Sequence, residues 1–145
     1  MSKGTYEDAR LIMELYELRR EQRLRTAREW FASQFFPESF DDIKALLTPG
    51  NPNSTYFRMV VSYWDMAASF AVRGPLNAEL LLESGGEMLL VWARLETYIN
   101  ELRETIMLPE YLRNIEAVIS QVEWAPRRVS WLQERSAMMK SQSAR

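Results

Sequence analysis

"EMLLVWARLETYINELRETI", Glu87 to Ile106, is the stretch on which the fold class turns. Met88, Val91, Trp92, Leu95, Ile99, Leu102 and Ile106 recur at helical spacing and draw one apolar stripe down about five turns. Just upstream, "SGGE" sets Ser84 three residues before Glu87, the spacing of a capping box, and predicts the start of a continuous helix.

Upstream of it, "NAELLLES" reads as a short helix capped by Asn77. Before that, Val60, Tyr63, Trp64, Ala67 and Ala71 predict a core helix from Ser54 to Arg73, stopped by Gly74 and Pro75. "SFDDIKALL" repeats a capping pattern with Ser39 and Asp42 and ends at the turn-rich "TPGNPN". The chain opens with a segment from about Thr5 to Ser33, where Thr5 and Asp8 form a capping pair; as one helix it would be about 45 Å long. Downstream, Pro109 suits the first turn of a helix carrying Ile115, Ile119 and Val122. Pro126 does the same for a last one with Val129, Leu132 and Met139. No segment alternates with period two. The expected architecture is all-α: an antiparallel bundle of about five main helices plus two short ones, with a long N-terminal helix.

With 145 residues, 47% of them hydrophobic and 26% charged, the chain fits one domain, with a loose tail expected at 141–145. It contains neither cysteine nor histidine. Disulfides, thiolate and imidazole metal ligands, Ser-His and Cys-His nucleophile pairs, and the usual base near neutral pH are therefore unavailable. Gly85 and Gly86, the paired glycines, match no phosphate-binding loop. Glu79 and Glu83 stand one turn apart on a short charged helix, which reads as a solvated face rather than an acid/base pair. The expectation is a protein that is not an enzyme, with no catalytic residues, no metal and no cofactor. Charges in the opening residues and the shortness of the longest apolar run, Met88 to Ala93, point to the cytoplasm.

Two charged residues lie at odd places. Asp65 sits in "VSYWDMAASF", on a narrow stripe with Arg58, Ser62, Ser69 and Arg73. Arg103 falls about 70° from the middle of its helix's apolar stripe, where its stem can be buried while the guanidinium still needs an acceptor. The expected contact is a buried ion pair in which Asp65, or failing that Glu116, accepts from Arg103 or Arg94.

The "YWD" step at Tyr63 to Asp65, "RGPLNAELL", "WARLETYINELRE" and "YLRNIE" ending at Glu116 carry a further signal. Over about residues 60–116 the chain resembles an uncharacterised family of bacterial all-helical domains of unknown function. The resemblance implies an all-helical fold and no particular activity. Many relatives carry an N-terminal membrane helix that is not found in this sequence, so membrane tethering does not carry over.

Charge is polarised along the chain. Residues 19–28 carry five positive charges against one negative, as do residues 127–145, while the remainder is acidic. Arginine outnumbers lysine fifteen to three, a balance that favours interfaces. Arg19, Arg20, Arg23, Arg25, Arg28, Trp30, Phe35, Phe36, Arg127, Arg128 and Trp131 form the candidate interaction surface. The first reading is a helical protein-interaction domain that self-associates, most simply as a dimer, or binds another protein. The alternative is a binder of nucleic acid or an anionic membrane through the two arginine-rich segments.

Overall fold

The computed structural model describes residues 3–143, and these form an all-helical bundle. In chain order the helices are α1 (Tyr6–Arg19), α2 (Gln22–Gln34), α3 (Phe40–Leu47), α4 (Ser54–Val72), α5 (Ala78–Ser84), α6 (Glu87–Leu95), α7 (Ile99–Thr105), α8 (Arg113–Gln121) and α9 (Ala125–Ser143). A single 3₁₀ turn, Glu96–Tyr98, joins α6 to α7. The expected tail is helical through Ser143, and its last two residues lie outside those described.

Helix α4 is the centre. Its Phe57, Val60, Val61, Tyr63, Trp64, Ala67, Ala68 and Ala71 are all buried, leaving only a narrow outward stripe that includes Arg58, Ser62 and Arg73. Small residues in its second half let α5 and α8 approach closely. The dense aromatic end of α2 packs on its first half: Trp30 meets Tyr56 at 6.2 Å between ring centroids, and Phe35 meets Phe57 at 5.6 Å. From the stripe that opens the sequence reading, Met88, Val91, Trp92, Leu95, Ile99 and Leu102 are buried and Ile106 is partly so.

Two expected helices are broken. The N-terminal segment is not one long rod, because the chain turns at Arg20–Glu21. Glu21 takes an extended conformation, and its carboxylate accepts from the Leu24 amide to start α2. Neither glycine nor proline marks this break. It exists because α2 lies along α4, whereas α1 turns away toward α5. The Glu87–Ile106 stripe likewise steps at Glu96–Tyr98, keeping its buried face while shifting direction.

Helix directions follow from the cross-links. Arg28 shares Glu87 with Trp64 while Trp30 meets Tyr56, so α2 and α4 run in opposite senses. Arg28 reaches Glu87 while Phe31 and Phe35 reach Arg94, so α2 and α6 run in the same sense. Helix α9 also runs with α6: Gln133 bonds the Ala93 carbonyl, and Ser136 meets Arg94 one turn on.

At the N-terminus, Thr5 and Asp8 form the expected capping box. Asp8 also accepts from the Asn77 amide at 3.0 Å, which ties the start of α1 to the start of α5. Backbone donation, led by the Thr5 amide, lowers the Asp8 pKa below its ordinary 3.8. A depressed carboxylate contributes stability above its unfolded pKa and loses it as pH falls through the folded value. Asp8→Asn is therefore expected to be less stable than the parent chain at neutral pH. Thermal melts taken at decreasing pH should show this gap closing below pH 3.8. A gap that persists unchanged to acid pH would mean that the charge plays no part.

Candidate functional site

Of the buried charges, Asp8, Arg94 and Arg103 serve the ends of helices or the turns beside them, while Arg19 bonds the Tyr63 hydroxyl. Arg94, on α6, points into the C-terminus of α2: Nη1 donates to the carbonyls of Phe31 and Phe35, and Nη2 donates to that of Ala32 at 3.0 Å. These are carbonyls that a helix terminus leaves unpaired, at the negative end of the helix dipole. The guanidinium also lies 4.3 Å from the Phe36 ring centroid, and its Nε contacts the Ser136 hydroxyl at 3.4 Å. Burial pushes the Arg94 pKa down to about 10, which leaves it charged at pH 7.

Asp65 performs the mirror task for α8. Its two carboxylate oxygens accept from Asn114 Nδ2 at 3.1 Å and from the Ile115 amide at 3.3 Å. Helix α8 needs this help, because Leu112 before it has a left-handed φ of 61° and supplies no side-chain cap. Arg103 fixes the same turn, donating from Nε to the Tyr111 carbonyl at 2.8 Å and from Nη2 to Glu116 at 3.1 Å. Arg113 joins Glu116 from the exposed side at 2.9 Å. Of the four residues expected in one buried pair, the structure thus brings together Arg103 and Glu116; Asp65 and Arg94 go to separate helix ends. Tyr111, pushed up to about 12 by burial and by Asp65, stays protonated.

A third polar centre is absent from the sequence reading. Glu87 accepts from the indole of buried Trp64 at 2.8 Å and from Arg28 Nε at 3.0 Å. Arg28 also reaches the Arg19 carbonyl at the end of α1, and Arg19 donates to Tyr63 at 3.4 Å with its guanidinium 5.1 Å from the Trp64 ring centroid. The expected box of Ser84 and Glu87 does not form. Helix α6 starts at Gly86 with no side-chain cap, and the Ser84 hydroxyl bonds back to the Leu80 carbonyl. Glu87 is drawn instead to the only polar atom of Trp64, an N–H that burial obliges to find an acceptor. That obligation is the one signal from which the contact was legible.

The candidate interaction surface is dispersed by the fold. Arg19, Trp30 and Phe35 are buried and drop out of it, since the aromatic end of α2 is covered by α4 and Arg19 turns inward. Phe36 is half-buried beneath Arg94, and Arg28 is engaged with Glu87. Arg20 pairs with Glu17 at the surface. Arg23, Arg25, Arg127, Arg128 and Trp131 are exposed, and the guanidinium groups of Arg128 and Arg135 lie 5.6 and 5.5 Å from the Trp131 ring centroid. Both arginine-rich segments flank the start of α6: Arg28 bonds Glu87, while Arg128 lines a small cavity with Gly86 and Leu89.

The outer face of α1 exposes several large apolar side chains. Tyr6, Ala9, Met13 and Tyr16 follow one another at steps of three, four and three, ending beside Arg20. Tyr6 is 72% exposed, Met13 61% and Tyr16 50%. Glu79 accepts from the Trp124 indole, Glu83 faces solvent, and among the described residues no group of three acidic side chains is placed to hold a metal ion. No helix among the described residues is long and apolar enough to cross a membrane.

Two further cavities among the described residues bear on these side chains. One, about 840 Å³, lies between α4 and the 106–114 segment and includes Asp65 and Tyr111 in its wall. The other, about 680 Å³, lies between α6 and the C-terminal half of α9 and contains Arg94. Comparison with known proteins finds one family whose model matches, described as a domain of unknown function, DUF4760, over residues 5–124. No curated protein and no solved structure matches the chain.

Proposed function

Since the chain belongs to DUF4760, a family with no function assigned to it, we propose from its own surface that it is a non-enzymatic, cytoplasmic interaction domain that self-associates through α1. The observation that carries this reading is the Tyr6, Ala9, Met13, Tyr16 stripe. It has the three-four spacing of a helix-pairing seam and is exposed on a helix of which another side, Asp8, Leu15 and Arg19, is already buried. A second copy is the partner of choice because the flank of the stripe is self-complementary. Arg10 and Glu17 stand seven residues apart on the same side, so two antiparallel α1 helices set each arginine against the other copy's glutamate. The competing bond from Glu17 to Arg20 is an exposed pair of small worth.

Light scattering at micromolar concentration is expected to report a dimer. Met13→Glu with Tyr16→Glu, both at exposed positions, should convert it to a monomer with helicity and folding cooperativity retained. A parent chain that is monomeric at about 100 µM, weaker than any specific interface of normal size, would defeat the proposal.

The second reading, nucleic acid or an anionic membrane, draws support from the placement of both arginine-rich segments beside the start of α6. It is weakened because Arg19, Arg20 and Arg28 are already engaged within the chain. With Arg23, Arg25, Arg127 and Arg128 as contacts, duplex binding would fall with salt at a log–log slope of about −4. A salt titration without such a slope removes this reading.

A further inference from the structure

We propose that the cavity between α6 and the C-terminal half of α9 is a binding site for a small organic carboxylate, a monoanion carried on an apolar body. At about 680 Å³ it falls in the range of small-molecule sites. Its walls combine the apolar groups Phe36, Pro37, Ala93 and Ala137 with the side chains of Thr97 and Ser136 and the guanidinium of Arg94.

The charge balance of the lining selects the ligand. Lys140 and Glu38 are bound to each other and cancel. Arg94 remains, 7% exposed, with backbone carbonyls and a serine as its partners and no carboxylate within 4.0 Å among the described residues; the charge of Glu87 acts on it only from beyond that distance, and Glu87 is already bonded to Arg28 and Trp64. A buried cation with no carboxylate in contact with it, beside an accessible cavity, attracts one negative charge, and the low local dielectric strengthens that attraction. Of the five N–H groups of a guanidinium, one on Nη2 has no partner here, and the bond from Nε to Ser136 is long at 3.4 Å. A carboxylate can accept both, while its hydrocarbon part covers Phe36 and Ala137. A phosphate dianion fits less well, since its second charge would meet no second free cation in the lining.

The tests use the intact chain and hydrocinnamate, its neutral amide, and inorganic phosphate, followed by isothermal titration. Hydrocinnamate should bind saturably. The amide should bind at least about tenfold more weakly, the worth of a charge-assisted hydrogen bond, and phosphate more weakly than hydrocinnamate. Ala137→Phe fills the cavity from an exposed helical position without touching Arg94, and should abolish binding while leaving the thermal midpoint in place. Lys140→Glu, which sets a second carboxylate at the edge, should weaken binding by about tenfold or more through like-charge repulsion. The proposal is overturned if hydrocinnamate gives no saturable heat, if the amide or phosphate equals it, or if either variant binds as the parent does. The α1 seam is remote from this cavity in the chain, so the oligomeric state and the titration report independently.

Discussion

Arg94→Met is expected to lower stability by about 2 to 4 kcal/mol, a fall in Tm of roughly 5 to 15 °C for a domain of this size. The substitution removes the donors to three carbonyls at the end of α2, those of Phe31, Ala32 and Phe35. Each buried carbonyl left without a partner costs about 1 to 3 kcal/mol. Two effects reduce the total. Removing the cation also removes the desolvation that pushes its pKa down to about 10, and the adjoining cavity admits water to part of the exposed helix end. Arg94→Lys should fail to restore the loss, because a single ammonium cannot span three acceptors that a planar guanidinium reaches from two nitrogens. Thermal or denaturant unfolding of the three chains decides the matter. A methionine variant within 0.5 kcal/mol of the parent, the ordinary scatter of surface substitutions at about that size, would show that the α2 terminus is satisfied without Arg94.

The second large effect concerns Trp64 and the turn that covers it. Trp64→Leu should cost about 3 kcal/mol, since it empties a fully buried site and leaves Glu87 without the indole donor. A Cβ on Gly85 would stand 2.7 Å from the Trp64 ring and 3.1 Å from the Leu81 carbonyl. Gly85→Ala should therefore cost about 1 to 3 kcal/mol by overpacking. The two losses are coupled. With leucine at position 64 the ring is gone, and the added methyl group has room, so Gly85→Ala in that background should cost far less than in the parent. A double-mutant cycle by denaturant unfolding measures the difference; additive losses would mean that the glycine is required for its backbone and not for the approach of the ring.

The all-helical class was legible from the periodicity of Glu87–Ile106 and Ser54–Arg73, because a 3.6-residue repeat of apolar positions is a local property that packing needs only to accept. Local chemistry also carried the caps at Thr5 with Asp8 and at Asn77, where the side chain reaches an amide three residues on. The absence of histidine and cysteine, and what that removes, required no structure at all.

The remaining features depend on what lies across the bundle. The break at Arg20–Glu21 carries no glycine or proline, and it arises because α2 gains more by laying Trp30, Phe31 and Phe35 on α4 than by continuing α1. Arg94, Asp65 and Glu87 each serve a partner more than twenty residues away in the chain: the α2 carbonyls, the start of α8 and the Trp64 indole. Spacing could mark these residues as misplaced on their helices, but it could not say which helix end would come within hydrogen-bonding distance. Sequence determines which groups must find partners, since burial of a charge or an indole N–H is costly everywhere; only the tertiary arrangement decides which helix terminus or buried side chain each one meets.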